Sequence, residues 1–261
     1  MATNTPRKNS LIDLHCHILP GLDDGSKSVE ESLELAHAAV REGIGYILCT
    51  PHHLDRNYTN HALDVVQKVH DFQKILDEQA IPLTLFPGQE VHLNGDLDQR
   101  VEDLLGIDSA MRYLLVELPH EEVPTYTTEL FFQLSMRGIT PVIAHPERNA
   151  RIKADPEILY DFISNGALGQ LTATSLVGVF GKGVQKFSRE LITHGLVHII
   201  ASDAHMLPNR QFALKEGYLA LDALDRAYGP QFYENSKHLI NGEDIDHRIP
   251  LTLLKKRKRF F

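Results

Sequence analysis

The sequence predicts an α/β fold in which parallel strands alternate with helices and close into a barrel. Seven short apolar runs recur along the chain, and most are apolar at nearly every position, as strands covered on both faces must be. Segments with helical periodicity separate them, which implies right-handed crossovers and a parallel sheet. About seven such units in 261 residues favour a closed barrel, with an open doubly wound sheet as the alternative.

The predicted strands and helices follow one another in a regular order. The strands are SLIDLH, GYILCT, PLTLFPGQE, YLLVEL, ITPVIAH, ALGQLTAT and VHIIASD. A capping box of Ser28 and Glu31 opens the first helix, and Gly43 follows its end. The later helices are predicted over residues 59–80, 96–105, 127–137, 156–165, 182–194 and 209–227.

Composition argues against several classes of protein. Acidic residues outnumber basic ones, 35 to 26, which is atypical of a nucleic-acid-binding surface. Neither a signal peptide nor an apolar run of about 18 residues is present, so we expect a soluble, cytoplasmic protein without stable membrane insertion. Two cysteines, Cys16 and Cys49, are too few for a disulfide framework and fit a reducing compartment.

The chain is expected to contain one folded domain with a short extension at each end. Residues 1–10 are a polar leader, residues 11–254 form the barrel, and residues 255–261 form a basic tail. The tail, KKRKRFF, could make weak peripheral contact with anionic lipid, although a solvated chain end is the more ordinary expectation.

Ionisable residues follow six of the seven predicted strands. In chain order they are His15 and His17, His52, Glu90, Glu117, His145, and Asp203 with His205. The carboxyl ends of parallel strands converge on one face, so these side chains are expected to meet there. Strand alternation sends both histidines of the first pair to one side and the intervening cysteine to the other.

Any one of these residues alone could be a hydrogen-bonded structural group. Together they predict a metal centre, because buried ionisable groups are costly unless they are paired or bind a metal ion. The nitrogen and oxygen ligands are more than one ion requires, which implies two or three ions, with Zn, Mn and Fe all suitable.

Two arginines lie on loops that leave the same face. Arg148 and Arg210 could hold an anionic oxygen bidentately, whereas a structural ion pair of Arg148 with Glu147 or Glu117 is the alternative. Metal ions and arginines on one face point to hydrolysis of a phosphate ester.

A cysteine nucleophile is not supported. A thiolate phosphatase needs an arginine six residues after its cysteine, and here Leu22 and Asp55 occupy those positions. No basic neighbour in either loop would lower the pKa of Cys16 or Cys49.

Seven segments in a fixed order carry a family resemblance. They are DLHCHILPGLDDGSKS, CTPHH, PGQEV, LLVELP, PVIAHPER, GKGVQKFSRELITHGLVHIIASDAH and the closing NR, and they extend from about residue 11 to residue 210. The chain resembles the polymerase and histidinol phosphatase (PHP) superfamily, and within it the CpsB/CapC/YwqE-type bacterial metal-dependent protein-tyrosine phosphatases. The resemblance implies a distorted (β/α)7 barrel with a trinuclear centre, commonly of manganese.

The resemblance also implies a role for each candidate residue. His15, His17, Glu90 and Asp203 would hold one ion, Glu90 with Glu117 and His145 a second, and Asp24, His52 and His205 a third. Asp24 comes from the resemblance alone, since DDG is also a good turn sequence. Arg148 and Arg210 match the phosphate-binding arginines of the family.

The implied activity is hydrolysis of phosphotyrosine by a metal-activated hydroxide, without a phosphoenzyme on cysteine. His53, beside His52, is a candidate to assist the leaving phenolate. The implied substrate is a bacterial tyrosine kinase that controls capsule or exopolysaccharide synthesis. One alternative is a histidinol phosphatase or other small phosphomonoesterase on the same fold. The other is a non-catalytic module that binds metal or phosphotyrosine, against which the complete ligand set argues.

Overall fold

Parallel strands form the centre of the molecule, and the computed structural model describes residues 10–206, 210–245 and 249–254. The strands are β1 (Leu11–Cys16), β2 (Ile44–Cys49), β3 (His52–His53), β4 (Thr84–Pro87), β5 (Glu90–His92), β6 (Tyr113–Glu117), β7 (Thr140–Ala144), β8 (Leu168–Thr172) and β9 (Ile199–Ala201). The predicted basic tail and residues 1–9 of the predicted leader lie outside the described residues.

These strands occupy seven positions around a barrel. One sheet has the order β1-β2-β4 and the other β3-β5-β6-β7-β8-β9, and every recorded pairing is parallel. Only two residues separate β2 from β3, and only two separate β4 from β5. The two members of each pair therefore follow one another along a bent path and share one position in the barrel. A parallel bridge between Cys16 and Ala204 joins the two ends of this order. The predicted seven-stranded parallel barrel is confirmed.

Helices cover the outside of the barrel. They are α1 (Val29–Arg41), α2 (Ala62–Glu78), α3 (Thr127–Met136), α4 (Ala150–Ala154), α5 (Glu157–Ser164), α6 (Ala173–Val177), α7 (Lys182–Thr193), α8 (Leu214–Leu224) and α9 (Tyr228–Ile240). At the start of α1 the Ser28 hydroxyl accepts from the backbone N–H of Glu31, and the Glu31 carboxylate accepts from that of Lys27. The described helices include none that is long and apolar enough to cross a membrane.

The helix predicted over residues 96–105 is wrong. The chain forms two 3-10 turns there, Leu97–Gln99 and Val101–Asp103. The backbone N–H of Leu105 donates to the Gln89 side chain, and the Asp103 carboxylate accepts from the backbone N–H of Ala62, at the start of α2. These contacts outside the segment replace the bonds that an α-helix would make.

The helix predicted from residue 209 also begins later than expected. α8 starts at Leu214, because Ala213 before it has a left-handed backbone with φ of +52°. A residue in that conformation cannot continue a right-handed helix.

Two layers of apolar side chains hold the barrel together. The inner layer includes Ile12, Leu14, Tyr46, Leu48, Leu115, Val142, Leu168 and Ile199, and the outer layer packs the strands against the helices. Because the inner layer fills the barrel below the carboxyl ends of the strands, polar side chains at those ends rest on an apolar floor.

A bulge in β1 sets the direction of the first two candidate ligands. Asp13 pairs with Ile47 and Cys16 with Cys49, so β1 contains one more residue than β2 between these pairs. Leu14 packs in the inner layer and Cys16 in the outer layer. Without the extra residue, strict alternation would turn the residue after Leu14 outward; the bulge lets His15 face inward as well.

Candidate metal centre

The nine side chains predicted as metal ligands converge at the carboxyl ends of the strands. They form four overlapping groups in which the candidate ligand atoms lie within 4.8 Å of one another. The groups are His15, His17 and Asp203; His15, Glu90 and His145; His52, Glu90 and Glu117; and His17, Asp24, His52 and His205. Some side chains belong to two groups. A shared side chain of this kind could contact two closely spaced ions.

The Glu90 carboxylate lies at the middle of the cluster. Its Oε2 is 3.2 Å from His15 Nε2, 3.3 Å from His17 Nε2 and 3.0 Å from His52 Nδ1. Its Oε1 is 2.8 Å from His145 Nε2. Glu90 is only 1% exposed, and within the described residues its Oε2 has no hydrogen-bond partner of acceptable geometry. An oxygen surrounded by imidazole nitrogens without a hydrogen bond fits a bound cation.

The tautomers of two histidines support the same conclusion. His15 Nδ1 lies 2.9 Å from Gln170 Oε1, and His17 Nδ1 lies 2.7 Å from Asp23 Oδ2. Both partners are acceptors, so each neutral ring carries its proton on Nδ1 and presents a lone pair on Nε2. The two Nε2 atoms face each other at 3.1 Å. Lone pairs at this distance repel unless a proton or a cation lies between or beside them.

His205, whose ring stacks on that of His17 with centroids 4.0 Å apart, has the same arrangement. Its Nδ1 lies 3.0 Å from the carbonyl oxygen of Asp203, and its Nε2 lies 3.2 Å from Asp24 Oδ1. Burial and the neighbouring His17 lower the pKa of His205 to about 4, so the ring is neutral at pH 7. Imidazole nitrogens and carboxylate oxygens without a thiolate fit Mn, Fe or Zn.

The carboxylates of the cluster favour positive charge on the neighbouring histidines. Burial alone would lower the pKa of His52, but Glu90 and Asp24 outweigh it and raise that pKa to about 10. Burial likewise opposes the charge of His15, yet Glu90 and Asp203 raise its pKa. Without metal ions, protons on the imidazoles supply the positive charge that ions would otherwise provide.

Metal binding is therefore expected to release protons. His52 is protonated at neutral pH in the metal-free chain, because its pKa is about 10, and it must lose that proton to ligate an ion. Calorimetric titration of the metal-free protein with Mn²⁺, in two buffers of different ionisation enthalpy, should show release of at least about one proton per chain at neutral pH. Equal heats in the two buffers would contradict this expectation.

Two of the candidate ligands have a backbone conformation that is uncommon outside glycine. His145 has φ of +34° and Asp203 has φ of +52°. The backbone N–H of Asp203 donates to the carbonyl of His15 at 2.8 Å, and the carbonyl of His145 accepts from the N–H of Arg148 at 3.0 Å. Conformations of this kind cost about 1–3 kcal/mol and are concentrated at functional sites. The left-handed backbone at His145 and Asp203 ends β7 and β9 and turns these two side chains toward the centre.

Arg148 and Arg210 both bind the carboxylate of Asp203. Arg148 Nη2 donates to Oδ2 at 2.6 Å, and Arg210 Nη2 donates to both oxygens, at 2.8 and 3.0 Å. In the part of the chain that the structure describes, Arg148 forms its ion pair with Asp203 and none with the alternative partners Glu147 and Glu117. The Nε atoms of both arginines are buried without a hydrogen-bond partner in the described residues, so each guanidinium keeps a donor free.

A cleft of about 520 Å³ opens beside the centre. Its lining includes both arginines, the candidate ligands Asp24, His52, Glu117 and His145, and the side chains of Tyr58, Leu118 and His120. A larger cavity of about 950 Å³, lined by α1 and α8, contacts only His205 among the nine candidates. Because the smaller cleft contains the arginines, it is the candidate substrate site.

Sequence reasoning missed the residues that orient the ligands. Asp23 binds the ring of His17 and also accepts from the backbone N–H of His52 at 3.0 Å. Gln170 binds the ring of His15 from β8, the one strand position without an ionisable candidate. Gln170 is neither a histidine nor a carboxylate, so a search for metal ligands at strand ends does not find it. Hydrogen-bond partners such as Gln170 nevertheless fix the tautomer of a ligand.

His53 is not brought together with the nine candidates. It follows His52 in β3, so its side chain lies on the other face of the strand, and its ring centroid is 6.1 Å from that of His61. The ring is buried, and both of its nitrogens are without a hydrogen-bond partner in the described residues.

Replacing Asp23 by asparagine is expected to weaken metal binding without unfolding the protein. The amide keeps the shape of the side chain but removes the charge that orients and polarises His17. Loss of such an outer partner typically costs about 10- to 100-fold in metal affinity. Competition against a chelator measures the affinity, and Asp161→Asn on the exposed face of α5 is the matched control. An unchanged affinity in Asp23→Asn would show that Asp23 does not support a ligand.

The fold and the convergent side chains define a parallel α/β-barrel protein with a candidate metal centre of several ions. A family model described as "Capsular polysaccharide synthesis, CpsB/CapC" matches residues 11–241. The chain belongs to this family.

Individual relatives agree with the family match. Tyrosine-protein phosphatase YwqE of Bacillus subtilis (strain 168) is 40% identical over 256 residues, which cover 96% of this chain and 99% of that protein. Putative tyrosine-protein phosphatase CapC of Staphylococcus aureus is 38% identical over 255 residues, with the same coverage of 96% and 99%.

Solved structures show the same fold. A chain from the crystal structures of YwqE from Bacillus subtilis and CpsB from Streptococcus pneumoniae, described as unique metal-dependent tyrosine phosphatases, matches with a TM-score of 0.90 and 38% identity. The match covers 94% of this chain and 100% of that chain. A β-aspartyl dipeptidase of Fervidobacterium islandicum AW-1 shares the fold alone, with a TM-score of 0.53 and 13% identity over 90% of this chain and 74% of its own.

Proposed function

We propose that this protein is a metal-dependent protein-tyrosine phosphatase. The observation that carries the proposal is the position of Arg148 and Arg210, which line one cleft together with four of the candidate metal ligands. Cationic donors beside a metal centre suit a phosphoryl group, whose charge must be neutralised as the ester bond breaks. The relatives named as tyrosine phosphatases support the choice of substrate.

The proposed cofactor is two or three divalent ions, with manganese as the first candidate. Glu90 belongs to two of the four groups, which supports a bridging role between two ions. Asp24, His52 and His205 form one further group with His17, which supports a third ion. When bound, such ions act as Lewis acids and lower the pKa of water toward neutrality.

The protein's own residues bind and orient the phosphoryl group. Asp203 holds the two guanidinium groups on the same carboxylate, so both are fixed before the substrate arrives. Both guanidinium groups line the cleft, where their remaining N–H donors would meet the phosphoryl oxygens. The Phe180 ring, 5.5 Å from the Arg148 guanidinium, further restricts that side chain.

The cysteines take no part in the proposed reaction. Cys16 and Cys49 are both fully buried, and burial raises the pKa of each thiol. A protonated, enclosed thiol is a poor nucleophile. Hydrolysis is therefore proposed to proceed by water attack without a phosphoenzyme on cysteine.

The proposed substrate is a phosphotyrosine protein, in particular a bacterial tyrosine kinase that controls capsule or exopolysaccharide synthesis. The description of the matching family supports the link to capsule synthesis. A cytoplasmic place of action belongs to the same proposal, and the two free cysteines are consistent with a reducing compartment.

Substrate comparison tests the proposed function. Protein purified without chelators is assayed on a phosphotyrosine peptide, the matching phosphoserine peptide and histidinol phosphate, with and without EDTA, and after alkylation of thiols. The proposal expects phosphotyrosine to be preferred, EDTA to abolish turnover, added Mn²⁺ to restore it, and alkylating reagents to have no effect. Preference for histidinol phosphate would favour the small-molecule alternative, and activity that survives EDTA would overturn the metal mechanism.

The domain assignment is part of the proposal as well. Residues 11–254 are proposed as the catalytic unit, and residues 255–261 as a tail that makes at most weak contact with anionic lipid. Deleting the tail should leave turnover of the peptide unchanged. Binding to vesicles that contain anionic lipid, compared before and after the deletion, measures whether the tail contacts lipid at all.

A further inference from the structure

The cleft that holds the two arginines is polar over most of its lining. Among the described residues that line it, only Tyr58 and Leu118 have largely apolar side chains. Leu118 is 3% exposed, so it offers a substrate little surface. Tyr58 is therefore the large apolar surface in the described lining of this cleft.

The ring of Tyr58 is held in a fixed relation to the metal centre. It lies nearly parallel to the His52 ring, with an interplanar angle of 12° and centroids 6.2 Å apart. The backbone N–H of Tyr58 donates to the Asp55 carboxylate. Asn60 Nδ2 donates to the carbonyls of Leu22 at 3.1 Å and His52 at 2.7 Å, which ties this loop to the loop after β1.

We infer that Tyr58 determines the preference of this site for aryl phosphates. The ring of a phosphotyrosine would pack against the Tyr58 ring while its phosphoryl group reaches Arg148 and Arg210. Aromatic pairs in offset or edge-to-face arrangements are favourable beyond the area that they bury. A phosphoserine side chain has no ring to make this contact, so the discrimination arises from a difference in binding. The inference rests on the proposed phosphatase function.

Binding of two phosphonates tests the inference without relying on turnover. Phenylphosphonate and ethylphosphonate present the same head group with and without a ring, and calorimetry on the Mn²⁺-loaded protein gives the Kd of each. Tyr58→Ala is expected to weaken phenylphosphonate about tenfold and to leave ethylphosphonate unchanged. Tyr58→Phe keeps the ring and is expected to bind both like the wild type. In turnover of a phosphotyrosine peptide, Tyr58→Ala should raise KM while kcat changes little.

The outcomes separate the inference from the proposed function. Equal weakening of both phosphonates in Tyr58→Ala, no weakening of either, or loss of aryl selectivity in Tyr58→Phe would each overturn the role of Tyr58. A wild-type protein that binds phenylphosphonate selectively but does not hydrolyse the phosphotyrosine peptide would overturn the proposed function and leave the Tyr58 contact supported. Tyr126→Ala, at an exposed position outside the lining of the cleft, is the matched control and should bind both phosphonates like the wild type, and thermal melting confirms that each variant is folded.

Discussion

Replacing Glu90 by glutamine is expected to remove most of the bound metal and to lower kcat/KM by at least about 1,000-fold. Four imidazole nitrogens lie within 3.3 Å of this carboxylate, and it belongs to two of the four candidate ligand groups. The amide keeps the volume of the side chain and removes the negative charge that offsets the ions. Since even an outer partner is worth about 10- to 100-fold in affinity, loss of a central ligand should exceed that range.

Metal analysis and turnover of the phosphotyrosine peptide are measured on the same preparation of Glu90→Gln. Glu102→Gln, at an exposed position of the second 3-10 turn, should match the wild type in both. If Glu90→Gln retains full metal content and full activity, the central position assigned to this carboxylate is wrong.

Replacing Arg148 by alanine is expected to lower kcat/KM by about 100- to 1,000-fold, because a preorganised donor to the developing charge is lost. Arg148→Lys should recover little, since an ammonium group cannot present two parallel donors. Metal content should stay close to that of the wild type, because Arg210 still donates to both oxygens of Asp203.

The matched control for Arg148 lies three residues further along the chain. Arg151 is half exposed on α4 and makes one long contact of 3.4 Å with Asp155, so Arg151→Ala should retain activity. Full activity in Arg148→Ala would show that Arg148 does not bind the phosphoryl group. Loss of bound metal in this variant would mean that the role of Arg148 is structural.

The position of most candidate ligands could be predicted because a parallel barrel brings its strand ends together whatever their distance in sequence. His15, His52 and His145 are far apart in the chain, yet topology alone predicts that they meet. Their directions were harder to predict. His15 faces inward through a bulge, and His145 through a left-handed backbone, and neither feature has a distinct sequence signal here.

The partners of the ligands could not be predicted for a different reason. Gln170 contacts His15 across 155 residues, and Arg148 contacts Asp203 across 55, so these pairs exist only once the strands have assembled. Asp24 was predicted as a ligand only through the family resemblance, because the sequence DDG is also explained by a turn that binds no metal. The 3-10 turns at residues 97–103 likewise depend on distant partners, namely the Gln89 side chain that accepts from the backbone N–H of Leu105 and the backbone N–H of Ala62 that donates to Asp103.

The most direct test of the central claim, that nine side chains form a centre for several ions, is native mass spectrometry of the metal-free protein titrated with Mn²⁺. The number of ions per chain is read at each step, and turnover of the phosphotyrosine peptide is followed in parallel. We predict two or three ions per chain at saturation, with activity that appears only as these sites fill. Saturation at a single ion, or full activity in the metal-free protein, would contradict the account.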